Sequence, residues 1–105
     1  MKSTVLSKLS KFLPENYTID NDRIAFREGT IVEAIQDAEM CRVIKQIFQR
    51  SGIAHYTHYE NGYVTRIWSN NLVPMTVTET SKVSENESFL LAVEAILELQ
   101  ELVFR

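Results

Sequence analysis

The chain has 105 residues, 45% hydrophobic and 24% charged, with three Gly and two Pro. This excludes a disordered or low-complexity chain and suits a single α+β domain over residues 1–105, long enough to hold one core without staples. The formal net charge of −3 excludes wholesale binding to a nucleic-acid backbone, which needs a broadly basic surface. Charge is nonetheless uneven: residues 1–13 and 41–70 are net basic, and residues 14–40 and 71–105 are net acidic.

Ser3–Leu13 reads as a short helix, with Val5, Leu6, Leu9, Phe12 and Leu13 at helical spacing and Lys2, Lys8 and Lys11 around them. Pro14 ends it, because the residue before a proline is pushed out of the helical region. The segment lacks the apolar stretch of a signal peptide, and no run approaches the ~20 apolar residues of a membrane span. The single cysteine, Cys41, can form no internal disulfide. A reducing, cytoplasmic compartment and no membrane partner are expected.

Tyr17–Asp20 and Arg23–Phe26 alternate apolar and polar residues around Asn21-Asp22, which predicts a hairpin. Thr30 followed by Glu33 matches a capping box and predicts a helix from there to Gly52. Its apolar stripe runs Ile31, Ala34, Ile35, Ala38, Val43, Ile44, Ile47 and Phe48. Cys41 within it reads as a buried, inert thiol.

Ile53–Tyr59 and Tyr63–Ser69 are rich in aromatic and β-branched residues and flank Asn61-Gly62, a strong hairpin signal. Val73, Met75 and Val77 alternate with Pro74, Thr76 and Thr78 and predict a third strand. Pro74 suits its edge or its start. Ser84 with Glu87 forms a second capping box, predicting a helix to about Phe104. The order is therefore α-ββ-α-βββ-α, with helices packed on a small antiparallel sheet.

No Gly-rich phosphate loop, nucleophile elbow or Cys/His metal spacing occurs, so neither an enzyme nor a cofactor is expected. His55 and His58 lie three apart on a strand and point to opposite faces, which separates them as metal ligands. The central hairpin is the main candidate. A two-residue Asn61-Gly62 turn pairs Thr57 with Arg66 and His55 with Trp68. That register puts His55, Thr57, Tyr59, Val64, Arg66 and Trp68 on one face. Such a face suits a protein partner, because Trp, Tyr and Arg are common interface anchors, or stacked single-stranded nucleic acid. Arg42, Lys45 and Arg50 form a small basic stripe, and Glu94, Glu98 and Glu101 an acidic one suited to a basic protein surface.

The α-β-β-β-α order over Ile31–Phe104 resembles the double-stranded-RNA-binding domain. The start of the last helix, Ser84-Glu85-Asn86-Glu87-Ser88, is acidic where that family is basic, so duplex RNA binding is rejected. With the closing run Ser88–Leu97, the chain is similar to small phage proteins of the αβββα sandwich type. That resemblance implies a phage or mobile-element origin and a role such as inhibition of a host protein. The expected function is thus a non-enzymatic regulatory protein that binds a protein partner or a second copy of itself. The alternatives are a single-strand nucleic-acid binder and a small enzyme or ligand-binding module that uses a histidine.

Overall fold

The structure, a computed structural model, describes residues 1–69 and 74–99. The order is α1 (Ser3–Leu6), a 3-10 stretch (Ser7–Phe12), β1 (Tyr17–Asp20), β2 (Arg23–Glu28), β3 (Ile31–Ala34) and α2 (Asp37–Arg50). Then come β4 (Ile53–Tyr59), β5 (Tyr63–Ser69), β6 (Met75–Ser81) and α3 (Glu85–Glu98). The fold is α+β, with two three-stranded antiparallel sheets ordered β1-β2-β3 and β4-β5-β6.

This matches the expected α-ββ-α-βββ-α order, with one addition. Ile31–Ala34 is a strand, not the first turn of the middle helix. The turn chemistry decides it: Gly29 takes a φ of 62° between the paired residues Glu28 and Ile31, closing a tight β2–β3 hairpin. Helix α2 starts at Asp37 with no side-chain cap. Asp37 and Glu39 occupy its first turn and favour the positive end of the helix dipole. Arg23 ties this end to β2, donating to Asp37 Oδ1 at 2.7 Å and to the Ile35 carbonyl at 2.9 Å. The N-terminal segment begins as α-helix and tightens to 3-10 from Ser7.

The cap of α3 forms as expected, with the Ser84 hydroxyl accepting from Glu87 N at 3.0 Å. The Glu87 carboxylate instead accepts from the Ser81 hydroxyl at the end of β6. Helix α3 ends at Glu98, and Leu99 is extended. The rest of the predicted helix, with Glu101, lies outside the described residues, as does Val73.

One buried cluster joins Leu6 and Leu9, Ile24 of β2, Met40, Ile44, Ile47 and Phe48 of α2, Ile53, Ile67, and Phe89, Val93 and Ile96 of α3. Helix α3 packs across β5 and β6, while α2 packs beside it against β4. Among the described residues only one face of the second sheet therefore meets the core. On that face a chain of hydroxyls substitutes for apolar contacts. Thr57 meets Thr65 at 2.8 Å, Thr65 meets Ser88 at 2.6 Å, and Ser88 donates to the Glu79 carbonyl at 3.4 Å. These bonds satisfy the buried Thr65 and Ser88, which would otherwise be costly to desolvate.

The β4–β5 turn spans three residues, since Tyr59 pairs with Tyr63. Asn61 has φ 55° and Gly62 φ 142°, and a Cβ at Gly62 would lie 3.3 Å from the Ser81 carbonyl oxygen and from Thr80 Cγ2. Gly62→Ala is expected to destabilise the fold by about 1–3 kcal/mol, read as a lower urea midpoint with an unchanged slope.

Candidate functional site

The three-residue turn shifts the hairpin by one residue from the expected register. The pairs are Ala54 with Trp68, Tyr56 with Arg66, His58 with Val64 and His55 with Ile67. Because side chains alternate, an odd shift moves one strand's set to the opposite face. The expected face of His55, Thr57, Tyr59, Arg66 and Trp68 is therefore split. His55, Thr57 and Tyr59 share the side of Thr65, Ile67 and Ser69. Arg66 and Trp68 stand on the other side, with Ala54, Tyr56, His58 and Val64.

Strand β6 extends this second face, pairing Trp68 with Thr76, Arg66 with Thr78 and Val64 with Thr80. None of the nine residues is buried. Tyr56 is 60% exposed, and Arg66 and the three threonines are exposed. The Arg66 guanidinium lies over the Trp68 ring, 5.6 Å from its centroid. The Tyr56 and His58 rings stack at 5.5 Å and 25°. His58 Nε2 lies 3.5 Å from Glu60, while its Nδ1 is buried and has no hydrogen-bond partner among the described residues. Arg66 has no carboxylate within ion-pair distance among the described residues. This face thus combines two ring-centred pairs, an unmatched cation and a row of short hydroxyl side chains.

His55 faces the helices instead. Its ring meets Phe89 edge-on at 5.5 Å, and the Lys45 ammonium sits 5.0 Å from the centre of the same ring. Burial, with a further push from Lys45, lowers the His55 pKa below its ordinary 6.5. The unfolded chain, with the higher pKa, then binds the proton more readily. Stability is expected to hold above about 6.5 and to fall as the pH drops through the folded-state pKa. His55→Gln should remove that part of the pH dependence of the urea midpoint. Glu39 acts in a separate window, because hydrogen bonds from Arg42 and then Tyr17 hold its carboxyl at about 2 against an ordinary 4.5.

The basic stripe is divided. Arg42 is bound to Glu39 and lies 3.3 Å from the Tyr17 hydroxyl, tying α2 to β1. Arg42 and Lys45 line one cleft with Gln46, Gln49, Ile53, Ala54 and His55. Arg50 lines a different one, near Lys11 and Ser51. The acidic stripe is also partly engaged. Glu98 lies 3.9 Å from Lys2, and Glu94 lines a cleft with Asp22, Arg23, Asp37 and Glu87. Lys8 donates to the Leu97 carbonyl at the negative end of α3.

Cys41 is buried, its sulfur 3.7 Å from the Asn86 carbonyl oxygen, and burial pushes its pKa to about 11. A thiol so held is a poor nucleophile near neutrality. Among the described residues no group of three or more His, Cys, Asp or Glu side chains is placed to hold a metal ion. None of the described helices is long and apolar enough to cross a membrane.

Sequence reasoning missed Tyr56 and His58 as members of the aromatic face. The signal was present: Ile53 and Ile67 are the isoleucines of their strands, and putting both on the core side needs an odd-length turn such as this three-residue one, which leaves Val64 on the open face. Comparison with protein-family models, curated proteins and solved structures finds no match to this chain.

Proposed function

We propose that the protein is a non-catalytic interaction module that binds a protein partner through the uncovered face of β4, β5 and β6. The observation that carries this reading is the Arg66–Trp68 stack beside exposed Tyr56, on a face with no buried residue. Trp, Tyr and Arg are the residue types that most often dominate binding energy at interfaces. The unmatched Arg66 guanidinium favours a partner surface that presents a carboxylate or carbonyl in its plane. Regulation by occupying a partner's working surface is the role that fits such a module.

The test places a photo-crosslinking residue at Thr78, identifies the captured protein, purifies it and compares its affinity for the wild type and for Trp68→Ala. Binding that is indifferent to Trp68 overturns the reading. Light scattering on the isolated protein reports separately whether the partner is a second copy.

Single-stranded nucleic acid is the second reading, favoured by the two ring-centred pairs. With Arg66 as the one fixed cation among the described residues of this face, a single phosphate contact would contribute a salt slope of only about −0.7. Oligonucleotide binding at low salt that Trp68→Ala abolishes would favour this reading over the first.

A further inference from the structure

Helix α2 has two working faces. Met40, Cys41, Val43, Ile44, Ile47 and Phe48 are buried. Arg42, Lys45, Gln46 and Gln49 recur at i, i+3, i+4 and i+7 and form one wall of a cleft of about 390 Å³, opposite Ile53, Ala54 and His55 of β4. Among the described residues strand β4 is a sheet edge, paired with β5 alone. An edge strand presents alternate backbone N–H and C=O groups away from its sheet.

The two walls offer complementary chemistry. The strand offers backbone donors and acceptors, and the helix offers cationic and amide side chains. Among the described residues no carboxylate lines the cleft. Glu39, one turn before Arg42 on the same helix, is bound to Arg42 and Tyr17. Lys45 has no carboxylate within ion-pair distance among the described residues. The helix stripe runs for about 10 Å, the length of about three extended residues.

We infer that this cleft is a second docking site, for an extended acidic segment of a partner protein that adds as a strand to the edge of β4, with its carboxylates met by Lys45, Gln46 and Gln49. A free phosphate would engage the helix wall alone and leave the strand edge unanswered. An extended peptide engages both, in the manner of strand addition. Apart from Ala54, the cleft shares no residue with the open sheet face, so the two sites stand or fall separately.

The probe is a capped octapeptide alternating Glu and Val, titrated into the isotopically labelled full chain and followed by amide NMR. Saturable shifts are expected at the backbone of residues 54–57 and at the side-chain amides of Gln46 and Gln49. Replacing the peptide's Glu by Gln, or N-methylating alternate residues, is each expected to weaken binding about tenfold. Lys45→Gln should do the same. Gln49→Glu, at an exposed position, gives a second variant that does not depend on Lys45's packing over Phe89. The inference is overturned if millimolar peptide moves no β4 amide, or if the shifts fall only on Tyr56, Arg66 and Trp68. It is also overturned if inorganic phosphate alone reproduces the shifts while N-methylation has no effect.

Discussion

Phe89→Ala is expected to lower the stability of the fold by about 3–5 kcal/mol. Phe89 is 1% exposed and sits where α2, α3 and β4 converge. Its ring lies 6.3 Å from that of Phe48 and 5.5 Å from that of His55, with the Lys45 ammonium 5.0 Å from its centre. Truncation removes the apolar transfer energy and leaves a cavity that helices held by Met40, Ile44 and Val93 can close only in part. A domain of this size is stable by about 5–15 kcal/mol, so the loss is a large fraction of the whole. Urea denaturation followed by circular dichroism reads it as a lower midpoint. Phe89→Leu, which refills most of the volume, should lose much less. The same truncation uncovers His55, so its imidazole pKa should rise back toward the ordinary value in an NMR titration. A loss below about 1 kcal/mol would mean that the helices do not converge on this ring.

The elements that could be read from the sequence were those whose signals are local. The stripe of α3 and its Ser84 cap, the alternation of Met75 and Val77 with threonines, and the Asn21-Asp22 turn each lie within a few residues of what they specify. Strand β3 could not be read this way. Thr30 and Glu33 match a capping box, but Ile31-Val32 is β-branched, and Gly29 supplies a left-handed turn that closes onto β2. The choice between helix and strand there rests on whether β2 needs a second partner, which is a tertiary fact. The split into two sheets is of the same kind.

The candidate site was half legible. The aromatic and Arg content of the central hairpin was evident, and so was its turn, but the turn's length was not. One residue in that loop decides which side chains stand together. Pairing Thr57 with Arg66 would have left Ile53 on the same side as Arg66 and Trp68. The fold instead puts Ile53, Ile67 and Val77 toward the helices, and core burial overrides the preference for a two-residue loop. The cleft between α2 and β4 was beyond reach, since it joins a helix stripe to a strand whose relative placement no local pattern encodes.

Trp68→Ala is expected to weaken partner binding by about 2 kcal/mol or more, roughly 30-fold, with little change in the unfolding midpoint. The asymmetry follows from its position. Trp68 is half-buried on the open face, packed under Arg66 and opposite Ala54 and Thr76, and it is not among the buried residues of the core. Arg66→Lys keeps the charge but loses the planar stack, so it should weaken binding nearly as much as Arg66→Ala, and the lysine variant should be the more sensitive to salt. The register supplies the sharpest control. Tyr56 and Tyr59 are both largely exposed aromatics of β4, at 60% and 70%, but they lie on opposite faces. Tyr56→Ala should therefore weaken binding, and Tyr59→Ala should leave it unchanged. A two-residue turn would reverse that pair of results. Isothermal titration of the five variants against the captured partner thus measures the surface and the register together. The chain's single tryptophan offers an independent readout, because its fluorescence should change on binding if this face is the one covered.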